Sequence, residues 1–149
     1  RTPSSAASDV YKRQILKPYI IKVLSEVVDE GMAYGFSVDE VWKNTYHRYY
    51  HQEVHDHQGY ELSFVIFLTD FHKDDAKFYF VNERTRLTAE LWGDVSGLMP
   101  DSLPVEGKKG DIVFFPSHML HGVSPHKSDN PRVTVSGNIT IKDLREETL

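Results

Sequence analysis

Residues 55–68 read HDHQGYELSFVIFL, and this stretch decides the fold class. Its second half, residues 61–68, is an apolar run of strand length that is rich in aromatic and β-branched side chains. Such a run, bounded by turn residues, is typical of a buried β-strand. Its first half places two histidines, His55 and His57, immediately before that strand. We therefore expect a β-protein with metal-binding or titratable side chains at a strand end.

Three further segments have the same strand-like composition. They are residues 77–81, 111–115 and 132–141, and turn residues such as Gly, Pro, Asn and Asp separate them. Several short strands with little helix favour an antiparallel sandwich or barrel. The sequence therefore predicts a mainly β fold.

One amphipathic helix is predicted ahead of the strands. The pattern turns helical at Ile15, with Pro18 in the first turn and Gly31 as the stop signal. The apolar residues predicted to share one face of this helix are Ile20, Leu24, Val27 and Val28. We expect this face to pack on the body of the domain.

Two other segments have weaker patterns. A short helical or turn segment is predicted over residues 37–42, because a capping serine precedes a glutamate by three positions. Residues 82–110 are mostly polar and long for a connection, which favours a hairpin excursion or a lid over a site. Trp92 and Met99 are the apolar side chains that we expect such a lid to present.

The first fourteen residues are unlike the rest of the chain. They are small and polar up to Asp9, have no apolar periodicity and do not begin with Met. Residues 4–14 resemble translated sequencing-adapter read-through at the broken end of a gene prediction, and we exclude residues 1–14 from the fold as a non-native leader. The chain length of 149 residues fits one domain. We expect a single domain over residues 15–149 that lacks its native N-terminus.

Composition narrows the function classes. Lys and Arg total 17 against 22 for Asp and Glu, a formal net charge of −5, which speaks against a nucleic-acid partner. No run of 18 apolar residues is present, and no membrane partner is expected. Cysteine is absent, which fits the reducing cytoplasm and leaves histidine and carboxylate side chains to hold any metal.

Two clusters of histidines flank predicted strands. His55 and His57 stand before the longest strand, and His118 and His121 follow the strand at 111–115. In an extended chain the side chains at i and i+2 project to the same side, and the first pair can share one ion. His121 is the natural third ligand, and imidazoles suit a first-row metal. His118, one loop turn from His121, is a candidate for a contact behind the ligands, and no functional role is expected for His47, His51, His72 and His126.

These motifs together resemble a known family. The stretch HDHQGYELS at 55–63, the segment GDIVFFPS at 110–117, His121, and Arg132 eleven residues later resemble the 2-oxoglutarate–Fe(II) oxygenases of marine phages and bacteria, over about residues 44–138. The resemblance implies a double-stranded β-helix (jelly roll), here with an N-terminal helix. It also implies a dioxygenase that uses Fe(II), 2-oxoglutarate and O2 to hydroxylate an unidentified substrate, releasing succinate and CO2. A phage enzyme would work in the host cytoplasm.

The resemblance implies that Fe(II) is held by His55, the residue two positions later, and His121. Most of the superfamily has Asp or Glu at that second position, where this chain has His57. Three ligand sets stay open: His57 in a three-histidine site, a carboxylate from Glu53 or Glu61, or Asp56 turned inward by a bulge.

The last predicted strand carries the candidate co-substrate residues. Arg132, Thr134 and Ser136 alternate with apolar residues and form one polar face, which is either a solvent-facing surface or a carboxylate receptor. A guanidinium binds a carboxylate in bidentate form, and a nearby hydroxyl adds a donor. The resemblance places the 2-oxoglutarate-binding arginine at Arg132, with Thr134 or Ser136 assisting. Asn44 and Tyr46, on the chain leading to the site, are further candidate contacts.

Two alternatives belong to other classes. In a cupin-type isomerase or dioxygenase without 2-oxoglutarate, Glu61 would join His55, His57 and His121 as a fourth ligand; such an enzyme has no need of Arg132. In a non-enzymatic binding or virion module the imidazoles would point to different faces.

Overall fold

The computed structural model describes residues 6–28, 33–82 and 102–144. These residues form one helix, α1 (Ala6–Val27), and eight strands. The strands are β1 (Tyr34–Tyr46), β2 (Gln52–His55), β3 (Leu62–Phe67), β4 (Phe78–Val81), β5 (Ser102–Pro104), β6 (Ile112–Pro116), β7 (His121–Val123) and β8 (Arg132–Asp143).

The strands form two four-stranded antiparallel sheets. One sheet has the order β1-β8-β3-β6 and the other has the order β2-β7-β4-β5. Strands that are hydrogen-bonded neighbours are mostly distant in sequence, which is the arrangement of a jelly roll. The predicted mainly β jelly roll with an N-terminal helix is confirmed. No helix among the described residues is long and apolar enough to cross a membrane.

The two faces of strand β8 have different surroundings. Arg132, Thr134 and Ser136 are buried on the side that faces the second sheet. The alternate residues Val135 and Ile139 pack on the other side, against the core beneath the helix. The polar face that the sequence predicts is therefore interior and is not a solvent-facing surface, because the second sheet lies opposite it.

Helix α1 covers the outer side of this sheet. Leu16, Ile20 and Leu24 are spaced four residues apart and are buried in one cluster with Phe64 and Ile139. A second core cluster fills the space between the sheets and includes Val65, Phe67, Phe78, Phe115 and Val123.

The helix differs from its prediction in three respects. It begins at Ala6, and Pro18 consequently lies in its interior, not in its first turn. Val27 is 70% exposed, because the buried stripe continues from Leu24 to Val28, which packs against the core. The foreign origin of residues 1–14 stays a prediction.

Residues 37–42 belong to β1, and the prediction of a short helix there is wrong. The Ser37 hydroxyl donates to the Asp39 carboxylate (2.7 Å), and Glu40 accepts a hydrogen bond from Asn138 of β8 (3.2 Å), 98 positions away. The strand pairs with β8 along its length, with one register shift between Val38 and Glu40. A partner so distant in sequence overrides a weak local capping pattern.

The four predicted strands correspond to β3, β4, β6 and β8 and are confirmed. The sequence did not predict β2, β5 and β7, which have three or four residues each. Within the predicted excursion 82–110, β5 is a strand, while residues 83–101, with Trp92 and Met99, lie outside the described residues.

Adjacent isoleucines of α1 test how the helix is held. Ile20 has 0% exposure and Ile21 has 43%. We expect Ile20→Ala to lower the free energy of unfolding by about 2–5 kcal/mol, because it leaves a cavity against the sheet. The same substitution at Ile21 should change it by less than about 0.5 kcal/mol. Urea denaturation measures both, and equal effects would mean that the helix does not dock as described.

Candidate metal centre

The pairing of β2 with β7 brings two of the histidines together. His55, the last residue of β2, lies directly opposite His121, the first residue of β7, and their ring centroids are 4.4 Å apart. His57 follows β2 by two residues, and its ring lies 5.1 Å from each of the other two. The three imidazoles therefore converge at one strand end.

The three histidines have the geometry of a metal site. One ring nitrogen from each of His55, His57 and His121 lies within 4.8 Å of the others, and no carboxylate belongs to this group in the described parts of the chain. Binding would need only small side-chain movements, since metal–imidazole bonds are about 2.0–2.1 Å long. The imidazoles share one face, whereas the non-enzymatic alternative predicts that they point to different faces; the geometry does not support that alternative.

Backbone carbonyls set the tautomers of two of these histidines. His55 Nδ1 lies 2.7 Å from the Glu53 carbonyl oxygen, and His121 Nδ1 lies 2.8 Å from that of Met119. A carbonyl only accepts, which means that Nδ1 carries the proton in both rings and Nε2 keeps its lone pair. Such outer contacts are typical of metal-binding histidines.

His121 is held neutral. Burial lowers its pKa to about 4, and the neighbouring His55 and His57 act in the same direction, against the opposing effects of the Met119 carbonyl and Asp56. Ligand histidines must be unprotonated. The site therefore presents at least one ready ligand at neutral pH.

His57 is held by stacking and by its backbone. Its ring stacks on Trp42, with centroids 5.6 Å apart and planes 14° apart, and its backbone N–H donates to the Ser117 carbonyl (2.9 Å). Ser117 is itself fixed by donating its buried hydroxyl to that of Ser63 (2.8 Å), which in turn donates its own proton to the Asn138 side-chain oxygen (3.0 Å). These contacts position His57 although it lies beyond the end of a strand.

The candidate carboxylates lie apart from this cluster. Glu61 Oε2 accepts a hydrogen bond from the Ile141 backbone N–H (2.8 Å), and Glu53 contributes its carbonyl oxygen, not its exposed side chain. Asp56 is close enough to act on the pKa of His121 but does not belong to the ligand group. The cupin-type alternative, which needs Glu61 as a ligand, is therefore not favoured.

A buried cation shares the cavity with the imidazoles. Arg132 is 3% exposed, and its two terminal nitrogens have no hydrogen-bond partner among the described residues. Its guanidinium lies 5.2–5.4 Å from the ring centroids of Tyr46, Phe67 and Phe71. Burial lowers its pKa, opposed by Tyr46 and Asp75. An unpaired buried cation is costly, and this environment suits an anionic ligand.

A narrow cavity with a volume of about 20 Å³ joins these groups. Tyr46, Thr134 and Ser136 line it together with Arg132 and the three histidines. Asn44 is not in its lining and instead donates to the hydroxyls of Ser136 (3.2 Å) and Thr134 (3.5 Å). Asn44 therefore contacts the predicted co-substrate residues Thr134 and Ser136 but does not itself line the cavity.

The other histidines lie outside the cavity lining. His126 is fully buried, accepts the Ala76 backbone N–H at Nδ1 (3.0 Å) and donates from Nε2 to the Asn130 carbonyl (2.7 Å), a structural role. His118 is exposed, and its expected place behind the ligands is wrong, because the turn after β6 directs it to solvent. The remaining three, which were assigned no role, are exposed: His47, His51 and His72.

Sequence reasoning missed Gln52, which lines the cavity. Strict alternation places a residue three positions before His55 on the opposite side of the strand. A register shift in the pairing of β2 with β7 lies between the two residues and places both side chains on the same side. Ser63 was also missed; its only sequence signal is a hydroxyl within the apolar run of β3.

Comparisons with known proteins are consistent with this arrangement. The profile of a family described as "Putative 2OG-Fe(II) oxygenase" matches residues 40–138. No curated protein sequence matches the chain. The similar solved structures described next are 15–17% identical to this chain, and at such identity structural similarity shows the fold alone.

Solved proteins of similar structure include HygX and a prolyl-4-hydroxylase. HygX from Streptomyces hygroscopicus with nickel and 2-oxoglutarate bound has a TM-score of 0.65 at 15% identity, over 91% of this chain and 68% of HygX. An iron-bound HygX structure has a TM-score of 0.64 at 17% identity, over 91% and 68%. A Pseudomonas putida prolyl-4-hydroxylase has a TM-score of 0.58 at 17% identity, over 94% and 70%.

Substitution of His121, in β7, and of His118, in the turn before it, tests whether the three-histidine cluster binds metal. We expect His121→Ala to weaken Co(II) binding by more than about 100-fold, because loss of a ligand should cost more than loss of an outer contact, which typically costs 10–100-fold. His118→Ala, three residues away and exposed, should leave the affinity unchanged. Titration followed by Co(II) absorption measures both. Unchanged binding by the His121 variant would rule out this cluster as the metal site.

Proposed function

Because this chain belongs to the 2OG-Fe(II) oxygenase family, we propose that His55, His57 and His121 hold its Fe(II) and that Arg132 binds 2-oxoglutarate. The family uses Fe(II) and 2-oxoglutarate, and the chain is a 2-oxoglutarate-dependent oxygenase. The observation that carries the proposal is the bare guanidinium of Arg132, buried in the same cavity as the three imidazoles. Such a cavity has a cation at one end and metal ligands at the other, as a 2-oxo dicarboxylate requires.

The reaction that we propose is hydroxylation of an unidentified substrate. When bound, Fe(II) with 2-oxoglutarate and O2 supplies an oxidant for an unactivated C–H bond; one oxygen atom enters the substrate and the other enters succinate, and CO2 leaves. The residues of the chain bind and orient the reactants and keep water from them.

Arg132 and its neighbours form the receptor for the distal carboxylate. The guanidinium presents a fork of donors, which takes a carboxylate in bidentate form, and Thr134, two residues later on the same face, adds a hydroxyl. Phe67 and Phe71 pack about the guanidinium and exclude water from it. Because the unbound cation is desolvated without a partner, an anionic ligand satisfies nitrogens that otherwise lack an acceptor.

The organisation of the whole chain is part of the proposal. We propose that residues 1–14 are foreign to the protein and that residues 15–149 belong to one oxygenase domain. The absence of cysteine and the net charge of −5 support a cytoplasmic enzyme that acts on a small molecule or another partner that is not a nucleic acid.

The central experiment is an anaerobic titration of the Fe(II)-loaded protein with 2-oxoglutarate. We expect the weak visible charge-transfer band of a chelated 2-oxo acid, and Arg132→Ala should raise the concentration needed by at least about 30-fold, since breaking a buried charge pair costs about 2–5 kcal/mol. Arg48→Ala is the matched control, because Arg48 is exposed and paired with Asp129 (2.6 Å).

A titration with pyruvate shows whether Arg132→Ala loses only the contact to the distal carboxylate or has a generally damaged binding site. It keeps the 2-oxo acid group but has no second carboxylate, and its affinity should be nearly the same in the wild-type and Arg132→Ala proteins. With 2-oxoglutarate in place of pyruvate, admission of O2 should yield succinate in the wild type. Absence of the band from wild-type protein with bound iron would contradict the proposal.

The neutral ligand set makes a separate prediction about how strongly metal binding and co-substrate binding are coupled. Three imidazoles leave the charge of the metal uncompensated, and we expect 2-oxoglutarate to raise Ni(II) affinity by about tenfold or more, with the reciprocal effect on 2-oxoglutarate. His57→Asp supplies a fixed negative charge and should reduce this coupling. His118→Asp adds the same charge on an exposed turn and should not. Equal coupling in all three proteins would argue against His57 as a ligand.

A further inference from the structure

Gln52 lies between the two ends of the cavity. It is the first residue of β2, three positions before His55, and its half-buried side chain lines the cavity. Its amide oxygen accepts a hydrogen bond from the Tyr46 hydroxyl (3.2 Å), and its amide nitrogen lies 3.2 Å from His55 Nε2. Gln52 therefore connects a residue that packs on Arg132 with a candidate metal ligand.

The direction of these hydrogen bonds is determined. His55 Nδ1 donates to the Glu53 carbonyl, which leaves Nε2 as the ring nitrogen that faces Gln52, and the Gln52 amide oxygen is already taken by the Tyr46 hydroxyl. The Gln52 amide N–H consequently donates to the lone pair that a metal would take. A nitrogen lone pair cannot accept this hydrogen bond and coordinate a metal at the same time.

We propose that Gln52 is a positioning residue that exchanges one acceptor for another. Without metal, its N–H caps the His55 lone pair; once a metal takes that lone pair, the N–H donates to the metal-proximal end of the 2-oxo acid, while Tyr46 continues to hold the amide oxygen. This inference rests on the proposed function of the cavity.

The proposal predicts effects of opposite sign on two affinities. Without the Gln52 N–H, nothing competes with the metal for His55 Nε2, and metal binding in the absence of co-substrate becomes tighter. Loss of the donor removes a hydrogen bond to an anionic ligand, and 2-oxoglutarate binding to the metal-loaded protein becomes weaker. A residue with only a structural role would weaken both, because disorder of β2 displaces the ligand His55, and the co-substrate binds through the metal that His55 helps to hold.

The test compares Gln52→Leu and Gln52→Glu with wild type. Gln52→Leu removes the donor with little change in size, and Gln52→Glu keeps the shape of the side chain while replacing the donor with an acceptor. Gln58→Leu, an exposed glutamine six residues away, is the matched control. Ni(II) affinity is measured by chelator competition without co-substrate, and 2-oxoglutarate affinity by calorimetry on the Ni(II)-loaded proteins, neither of which requires turnover.

For Gln52→Leu we expect Ni(II) to bind about two- to tenfold more tightly and 2-oxoglutarate about tenfold or more weakly, as fits one hydrogen bond to a neutral and one to a charged acceptor. Gln52→Glu should change both affinities in the same directions, and Gln58→Leu should change neither. Weakening of both affinities, or a change in only one of them, would overturn the proposal. If wild-type protein binds Ni(II) but no 2-oxoglutarate, the proposed function fails, whereas the metal measurement still tests the cap.

Discussion

The antiparallel pairing of β2 with β7 is the interaction on which the site depends. It places His55 opposite His121 and, through one register shift, turns Gln52 to the same side. The imidazole Nδ1 protons are held by carbonyls of the same two chain segments, which present Nε2 to the shared space. The geometry of the metal centre thus follows from backbone pairing, and the side chains need little independent ordering.

Strand β8 contributes the second constraint, because it lies in the middle of its sheet. Its two sides face different cores, one beneath α1 and one between the sheets. Arg132 is therefore buried among aromatic rings, and the described part of the chain offers no acceptor to its terminal nitrogens. That arrangement disfavours the empty protein, and an anionic ligand that pairs with the guanidinium offsets the cost of its burial.

Sequence patterns were reliable where the structure is periodic. The alternation of Arg132, Thr134 and Ser136 correctly predicted one polar face, and the His55–His57 spacing correctly predicted a shared side. They failed where a distant partner or a bulge intervened. Residues 37–42 became a strand because β8 supplies their hydrogen bonds, and Gln52 lay on the unexpected side because of the register shift.

The sequence by itself determined the mainly β class, the family resemblance and the chemical types of the donors, because composition, alternation and motif spacing are local properties. Only the tertiary structure decided whether the polar face of β8 faces solvent or a cavity and which carboxylates lie apart from the imidazoles. It also decided that the terminal nitrogens of Arg132 have no hydrogen-bond partner among the described residues. These depend on contacts between segments far apart in the chain, such as His55 with His121. Strand pairing and burial create those contacts, and neither is a property of any single segment.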